Sequence, residues 1–247
     1  MEKQKSERLD KILSMCGFGT RKDVKKLIKQ GAVTVNGNTV NDAGEKVYPL
    51  IDNIRIFGED LDYKSHIYIM MNKPAGVVSS TREEEDTTII DLLEGEYSHR
   101  NLFPVGRLDR DTEGLILLTD DGQLAHRLLS PKNKVEKIYY VEVRGKLNED
   151  DVAAFAGGIP LEDFTALPAK LEILEAGKFS RVLVKIHEGK FHQVKRMMKA
   201  RGKEVVYLKR LSIGPLKLDE NLEPGEWREL TDSEIEGLQN IVFDSKQ

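Results

Sequence analysis

The sequence has a single cysteine, Cys16, and no apolar segment near the roughly 20 residues that a membrane-spanning helix needs. One cysteine cannot form an internal disulfide and is typical of a protein from a reducing compartment. Cys16 shares a helical apolar face with Leu9, Ile12 and Leu13, so we interpret it as a packed thiol rather than a nucleophile. The N-terminus lacks the apolar core of a signal peptide. We therefore expect a cytoplasmic protein that does not associate with membranes.

Sequence signatures of metal and cofactor sites are also missing. The five histidines occur in no H-E-x-x-H or C-x-x-C context. The sequence has neither a Walker-type glycine loop nor a dinucleotide fingerprint. We therefore expect neither a metal nor a cofactor.

The net charge of −4 taken alone argues against a nucleic-acid-binding protein, but the charges are segregated along the chain. Residues 1–29 contain nine Lys and Arg against four Asp and Glu, and residues 187–210 contain eight against two. Residues 219–247 contain two against nine, which is typical of a solvated acidic helix. Nucleic-acid affinity depends on the local potential, so the two basic segments are candidate contact regions.

Residues 6–60 predict a small domain of two helices and a hairpin. Ser6 is the expected start of the first helix, and Thr20 the expected N-cap of the second. Asn36-Gly37 is the strongest short hairpin signal. Away from the apolar stripe of the second helix lie five cations within nine residues: Arg21, Lys22, Lys25, Lys26 and Lys29. Such clustering predicts a surface that follows nucleic-acid phosphates better than it predicts a plain solvated face.

The order of helix, loop, basic helix and V-x-V-N-G hairpin resembles the S4 RNA-binding domain, over residues 6–55. The resemblance implies that this domain anchors an RNA backbone. The residues that we expect to make that contact are Arg8, Arg21, Lys22, Lys25 and Lys26.

Residues 61–247 predict a second and larger domain, after an acidic linker at residues 58–66. Strand and helix patterns alternate irregularly with short turns, which predicts an α+β fold rather than a doubly wound parallel sheet. Within it, residues 106–115 combine a glycine, a charged cluster, a second glycine and an apolar run. This pattern is typical of a loop that holds an acid above a sheet. The apolar Leu108 between Arg107 and Asp109 favours such a loop over a plain surface turn.

Residues 106–115 match, without a gap, the G-R-L-D-x-x-T-x-G-L motif of the pseudouridine synthases that modify ribosomal RNA. The N-K-P-x-G and H-Q-[IV]-[RK] motifs of that family occur in the same order, at residues 72–76 and 192–195. The resemblance implies a mixed, mainly antiparallel catalytic sheet. It also implies a catalytic Asp109, a cationic partner in Lys195, and a Tyr139 that lies against the target base. Further RNA contacts are expected near the cleft, at Lys73, Arg107, Arg110 and Arg196.

The implied reaction breaks the C1′–N1 bond of a uridine, rotates the free base and joins C5 to C1′, with no metal or cofactor. Asp109 could act as the nucleophile or as a base, and the sequence leaves both routes open. Arg196 could take the place of Lys195, which stands where many relatives carry Arg. Arg107 is the candidate to fill the gap that a flipped base leaves. The expected partner is ribosomal RNA, either naked or in an assembling subunit, and we expect a monomer.

Three alternatives stay open at this point: a synthase that acts on large-subunit RNA, a non-catalytic assembly factor and a glycosidic-bond hydrolase. His192 favours the branch of the family that acts on small-subunit RNA over the large-subunit branch. A non-catalytic assembly factor would use only the S4 domain. A glycosidic-bond hydrolase would pair Asp109 with Asp111 or Glu113 across a sugar.

Overall fold

The computed structural model describes residues 5–243. Their contacts divide the chain into two units. The first contains the residues up to His66 together with Tyr97–Asn101, and the second contains Ile67–Glu96 and the residues from Leu102 onward. The sequence predicted a boundary at residue 60 within a linker, but residues 59–60 form a strand of the first unit.

The first unit begins with β1 (Glu7–Arg8), which runs directly into α1 (Leu9–Met15). The prediction that Ser6 starts this helix is wrong, because the N-cap is Arg8 and β1 pairs with Lys46–Val47 instead. The first amides of α1 bond to backbone carbonyls of residues 43 and 45 rather than to a capping side chain.

The second helix, α2 (Arg21–Lys29), confirms its predicted amphipathic pattern. Thr20 is the N-cap, and its side chain accepts a hydrogen bond from the Asp23 amide at 3.3 Å. Val24 and Ile28 are fully buried. The five cations of the helix are all exposed.

The predicted hairpin of the first unit is also confirmed. Asn36 and Gly37 have φ values of 51° and 81°, the left-handed pair that a type I′ turn requires. The strands of this unit are β2 (Val33–Val35), β3 (Asn38–Thr39), β4 (Lys46–Val47), β5 (Ile54–Ile56) and β6 (Glu59–Asp60). The apolar side chains of β2, β4 and β5 pack with those of α1 and α2 into one core.

The second unit is a large sheet with helices. Its strands are β7 (Tyr68–Lys73), β8 (Phe103–Pro104), β9 (Glu113–Thr119), β10 (Lys137–Arg144), β11 (Lys170–Glu175), β12 (Phe179–Ile186), β13 (Glu204–Ile213), β14 (Leu216–Lys217) and β15 (Trp227–Glu229). Its α-helices are α3 (Gly122–Leu129), α4 (Glu149–Gly157), α5 (Gln193–Ala200) and α6 (Asp232–Phe243). Short 3-10 helices occupy Asp91–Leu93 and Pro131–Asn133. No helix among residues 5–243 has the length and apolar character that crossing a membrane requires.

The strand order of the sheet is β11-β12-β10-β13-β9-β7-β15. Within the described residues its strands pair antiparallel except for β9 and β13, which run parallel. The predicted α+β class with a mixed, mainly antiparallel sheet is therefore confirmed. Strand β10 shows the predicted alternation, since Tyr139, Val141 and Val143 are all buried.

The parallel pair requires a glycine at the start of β9. Gly114 lies opposite Arg210 and has a φ of 97°. A Cβ atom at this position would lie 2.3 Å from the Arg210 carbonyl oxygen, which no packed side chain can tolerate. The close approach of the two strands fixes the end of the loop that immediately precedes β9.

Candidate active site

The loop between β8 and β9 carries Asp109 and is held to the protein interior at the preceding residue. Leu108 is buried. The Ser79 hydroxyl donates a hydrogen bond to the Leu108 carbonyl at 2.9 Å and accepts one from the Leu108 amide at 3.1 Å. The Thr112 amide closes the turn on the Asp109 carbonyl at 3.1 Å. The backbone on both sides of Asp109 is therefore fixed.

Lys73 lies beneath this loop rather than on an RNA-facing surface. Its side chain is fully buried, and its ammonium donates to the backbone carbonyls of Pro74, Arg110 and Thr112 at 2.9, 3.2 and 2.9 Å. Burial lowers the pKa of Lys73 to about 8. This corrects the expectation that Lys73 binds RNA, because no atom of the buried side chain can reach a ligand in this conformation.

The carboxylate of Asp109 forms an ion pair with Lys195, as the resemblance implied. The Lys195 ammonium lies 2.9 Å from Asp109 Oδ2 and 2.5 Å from Asp111 Oδ1. His192 Nε2 lies 3.5 Å from Asp109 Oδ1. The side chains of Asp109 and Lys195 are 25% and 23% exposed, so water screens this pair only in part.

The charges around Lys195 shift its pKa and that of Asp111 in opposite directions. Burial works to lower the pKa of Lys195, but hydrogen bonds to Asp111 and Asp109 and their charges outweigh it, so the pKa is raised. The hydrogen bond from Lys195 lowers the pKa of Asp111. Both groups therefore stay ionised at neutral pH.

Tyr139 and Asp109 line the same cavity of about 50 Å³. Tyr139 is buried on β10, and the first two residues of α5, which precede Lys195, also line the cavity. The remaining wall is formed by side chains of the loop, of the segment before α5 and of the sheet: Arg107, Leu108, Thr112, Ile186, Lys190, His192, Gln193, Val194 and Leu208. The structure thus gathers the three predicted catalytic residues from three distant segments.

The predicted RNA-binding arginines of this unit differ in their availability. Arg107 is exposed at the cavity wall and has no hydrogen-bond or ion-pair partner among residues 5–243. The Arg110 guanidinium instead contacts Asp86 at 2.8 Å, and Arg196 is paired with Asp163. RNA contact by Arg110 or Arg196 would therefore compete with an existing ion pair.

The predicted cations of the first unit are placed as expected for a contact surface. Arg21, Lys22 and Lys25 are exposed on α2, and Lys26 is exposed with an ion pair to Asp23. Arg8 makes a bidentate hydrogen bond to the buried carboxylate of Asp10, at 3.1 and 2.9 Å. That bond ties Arg8 to the core of the domain and leaves only part of its guanidinium available.

Two features of the site were missed from the sequence. Ser79 had no motif around it, and its role depends on the contact with Leu108, which is 29 residues away. Asp111 was considered only as the second carboxylate of a hydrolase. The structure shows Asp109 and Asp111 bonded to the same ammonium, so the two carboxylates lie beside each other, and of the two only Asp109 lines the cavity. That arrangement does not suit two carboxylates that must face each other across a sugar.

Comparisons with known proteins identify the class of RNA-modifying enzyme to which this sheet and the Asp109 loop belong. A family model described as RNA pseudouridylate synthase matches residues 67–200, and an S4 domain model matches residues 7–49. The chain belongs to the RNA pseudouridylate synthase family and carries an S4 domain at its N-terminus. It is therefore a pseudouridine synthase, an isomerase.

The relatives of the chain cover nearly its whole length. It is 48% identical to an uncharacterized RNA pseudouridine synthase of Bacillus subtilis, over 92% of this chain and 96% of the relative. It is 42% identical to ribosomal small subunit pseudouridine synthase A of Vibrio cholerae, over 94% and 99%. Ribosomal large subunit pseudouridine synthase B of Bacillus subtilis is 35% identical, over 97% and 98%. A crystal structure of a pseudouridylate synthase has a TM-score of 0.66 and 43% identity, over 94% of this chain and 99% of that chain.

Proposed function

We propose that this protein isomerises one uridine of small-subunit ribosomal RNA to pseudouridine, with Asp109 as the catalytic carboxylate. The observation that carries the proposal is the Asp109–Lys195 ion pair of 2.9 Å at a cavity that Tyr139 also lines. The names of the relatives support ribosomal RNA as the substrate, and two observations bear on the subunit. The small-subunit enzyme is the more similar of the two named types, and His192 lies beside Asp109.

The reaction needs an ionised carboxylate beside a uridine that has left its stack. The C1′–N1 bond breaks and the free base turns. C5 then bonds to C1′, N1 gains a proton, and the proton on C5 is released to water. Asp109 contributes either by attacking the nucleotide or by removing a proton from C2′. Lys195 supplies a compensating positive charge 2.9 Å from the carboxylate.

Tyr139 and Arg107 have different roles in holding the flipped nucleotide. Tyr139 is buried on a strand and presents a rigid ring to the cavity, so it suits stacking with the target base. Arg107 is exposed at the same wall, and its guanidinium has no hydrogen-bond or ion-pair partner among the described residues. It is therefore free to fill the space in the RNA that the flipped base leaves. Arg107→Ala should impair the modification of folded RNA far more than that of a flexible single strand. Equal losses on the two substrates would contradict this role.

The test of the proposed reaction uses small-subunit ribosomal RNA that carries tritium at uridine C5. Isomerisation releases tritium to water, whereas a glycosidic-bond hydrolase releases free uracil and a non-catalytic assembly factor releases neither. Asp109→Asn should abolish tritium release and leave RNA affinity within about threefold, because the carboxylate is a small part of the contact surface. Asp150→Asn is the matched control, since Asp150 is an exposed carboxylate in the first turn of α4 and does not line the cavity.

The same assay with large-subunit RNA decides the choice of subunit. Release from small-subunit RNA alone supports the proposal, and release from large-subunit RNA alone contradicts it. A fully active Asp109→Asn variant would remove Asp109 from the catalytic role on either RNA.

A further inference from the structure

Phe191 is the most exposed large hydrophobic side chain in the part of the chain that the structure describes, at 75%. It belongs to no core cluster of the described residues and is held instead by its neighbour His192. The two rings stack with centroids 3.7 Å apart and planes 19° apart. One face of the phenyl ring is therefore covered by imidazole, and the exposure of the side chain leaves the other face open.

The backbone that presents this pair is strained. His192 has a φ of 50°, a left-handed conformation that is uncommon for a residue with a Cβ atom. The residue is the N-cap of α5, yet its side chain makes no capping hydrogen bond. Such strain persists where the surrounding structure holds it and is concentrated at binding and active sites. In this conformation the His192 ring stacks on Phe191, and its Nε2 lies 3.5 Å from Asp109 Oδ1.

Two cations near the pair suit contact with an anionic polymer. Lys190 lines the cavity beside His192, and its ammonium lies 3.6 Å from the centroid of the Phe164 ring. Arg107 is exposed on the same cavity wall. Every nucleobase has a π face that can stack on an aromatic ring, and such grooves combine rings with cations along the backbone.

We propose that the Phe191–His192 pair is a stacking platform for the unpaired base next to the target uridine. The proposal rests on the proposed function, because it places that base beside the nucleotide bound at Asp109. The base stacks on the open face of Phe191. His192 stacks on Phe191 and contacts Asp109, so it connects the bound base with the catalytic carboxylate. The platform selects an unstacked neighbouring nucleotide and does not read its identity by hydrogen bonds.

The first experiment measures tritium release from small-subunit ribosomal RNA by wild type and Phe191 variants. Phe191→Ala should raise KM about 5- to 150-fold, the range expected from losing one base-stacking contact, with a smaller effect on kcat. Phe191→Trp should retain a KM close to that of the wild type, and Phe191→Leu should resemble Phe191→Ala because it is apolar but not aromatic. Phe179→Ala is the matched control, since this exposed phenylalanine begins β12 whereas the cavity residue Ile186 ends it.

The second experiment separates the platform from the reaction. Single-stranded RNA with 2-aminopurine beside a uridine should lose fluorescence on binding the wild type, because the probe stacks on Phe191, and should lose much less on binding Phe191→Ala. Unchanged quenching in Phe191→Ala, or full rescue by Phe191→Leu, overturns the platform even if tritium release is normal. If the wild type releases no tritium, the proposed function fails while the quenching still decides on the platform. A loss confined to assembled subunits, with naked RNA unaffected, would assign Phe191 to a protein contact and also overturn it.

Discussion

The Asp109 loop is held from two sides by different physical means. The floor, which we define as Lys73 and Ser79, bonds only to main-chain atoms of its neighbours and is buried. The rim, which we define as His192 and Lys195, contacts carboxylates, and its side chains are 42% and 23% exposed. Buried bonds to backbone dipoles fix where the loop lies, whereas the partly exposed rim side chains contact its carboxylates. The two sides should therefore respond differently to substitution.

The largest expected effect belongs to the rim and falls on activity. Lys195→Met removes the cation beside Asp109, so the tritium-release rate should fall about a thousandfold, or about 4 kcal/mol. The free energy of unfolding should change by less than about 1 kcal/mol, because the pair is partly solvated. Lys195→Arg should recover much of the rate, since it keeps the positive charge. Lys199→Met, an exposed position on the same helix, is the control. A rim variant that loses both stability and activity would contradict the division between a floor that stabilises the loop and a rim that serves the reaction.

The next effect belongs to the floor and falls on stability. Lys73→Met leaves three buried or partly buried carbonyls without their donor, so the free energy of unfolding should drop by about 2–4 kcal/mol. Urea denaturation measures the change, and Lys217→Met, an exposed lysine of β14, provides the reference. An unchanged urea midpoint for Lys73→Met would mean that the hydrogen bonds of the floor do not stabilise the loop.

The floor also predicts a pH dependence of stability. The pKa of Lys73 is about 8 in the folded protein and near 10.5 in an unfolded chain, so the unfolded state binds more protons between these values. Stability should therefore rise with pH from about 8 to 10.5, by about 1–3 kcal/mol. This rise should be smaller in Lys73→Met than in the wild type. Burial also lowers the pKa of Lys137 to about 8. Lys137 should therefore account for a second part of the rise in stability, and Lys137→Met should remove that part. Identical pH profiles for wild type and Lys73→Met would contradict the assignment.

The smallest effect tests how tightly the floor controls the carboxylate. Ser79→Ala removes both hydrogen bonds to Leu108, which should cost about 1–2 kcal/mol of stability and reduce the rate several-fold through a displaced Asp109. Ser80→Ala is a matched control, because that hydroxyl bonds to Arg82 near the surface. A Ser79→Ala variant with full activity and reduced stability would confine the floor to a purely structural role.

Patterns local in sequence predicted most of the elements correctly. The amphipathic stripe of α2, the Asn36-Gly37 turn and the alternation of β10 each depend on neighbours a few residues apart, and all three are present. The pairing of Asp109 with Lys195 spans 86 positions and followed only from the resemblance to a known family. Hydrophobic periodicity and secondary-structure propensity do not indicate which distant segments of the chain are in contact.

The predictions that failed depended on contacts between distant residues. Lys73 had the appearance of an ordinary charge at a strand end, and only the position of the loop above it shows that it is buried. Ser6 had the composition of an N-cap, but the pairing of β1 with β4 moved the helix start to Arg8. Each outcome was decided by packing that no local window contains.

The contact of Gly114 with Arg210 has a consequence for how this sequence can vary. Any replacement at position 114 must separate two strands and shift the segment that leads back to Asp109, so a saturation library selected for activity should return glycine there. Gly122 offers the opposite case, because an added methyl group would touch nothing within 4 Å and helices accept alanine readily. The tolerance of the gene to mutation should therefore differ sharply between two glycine codons only eight positions apart.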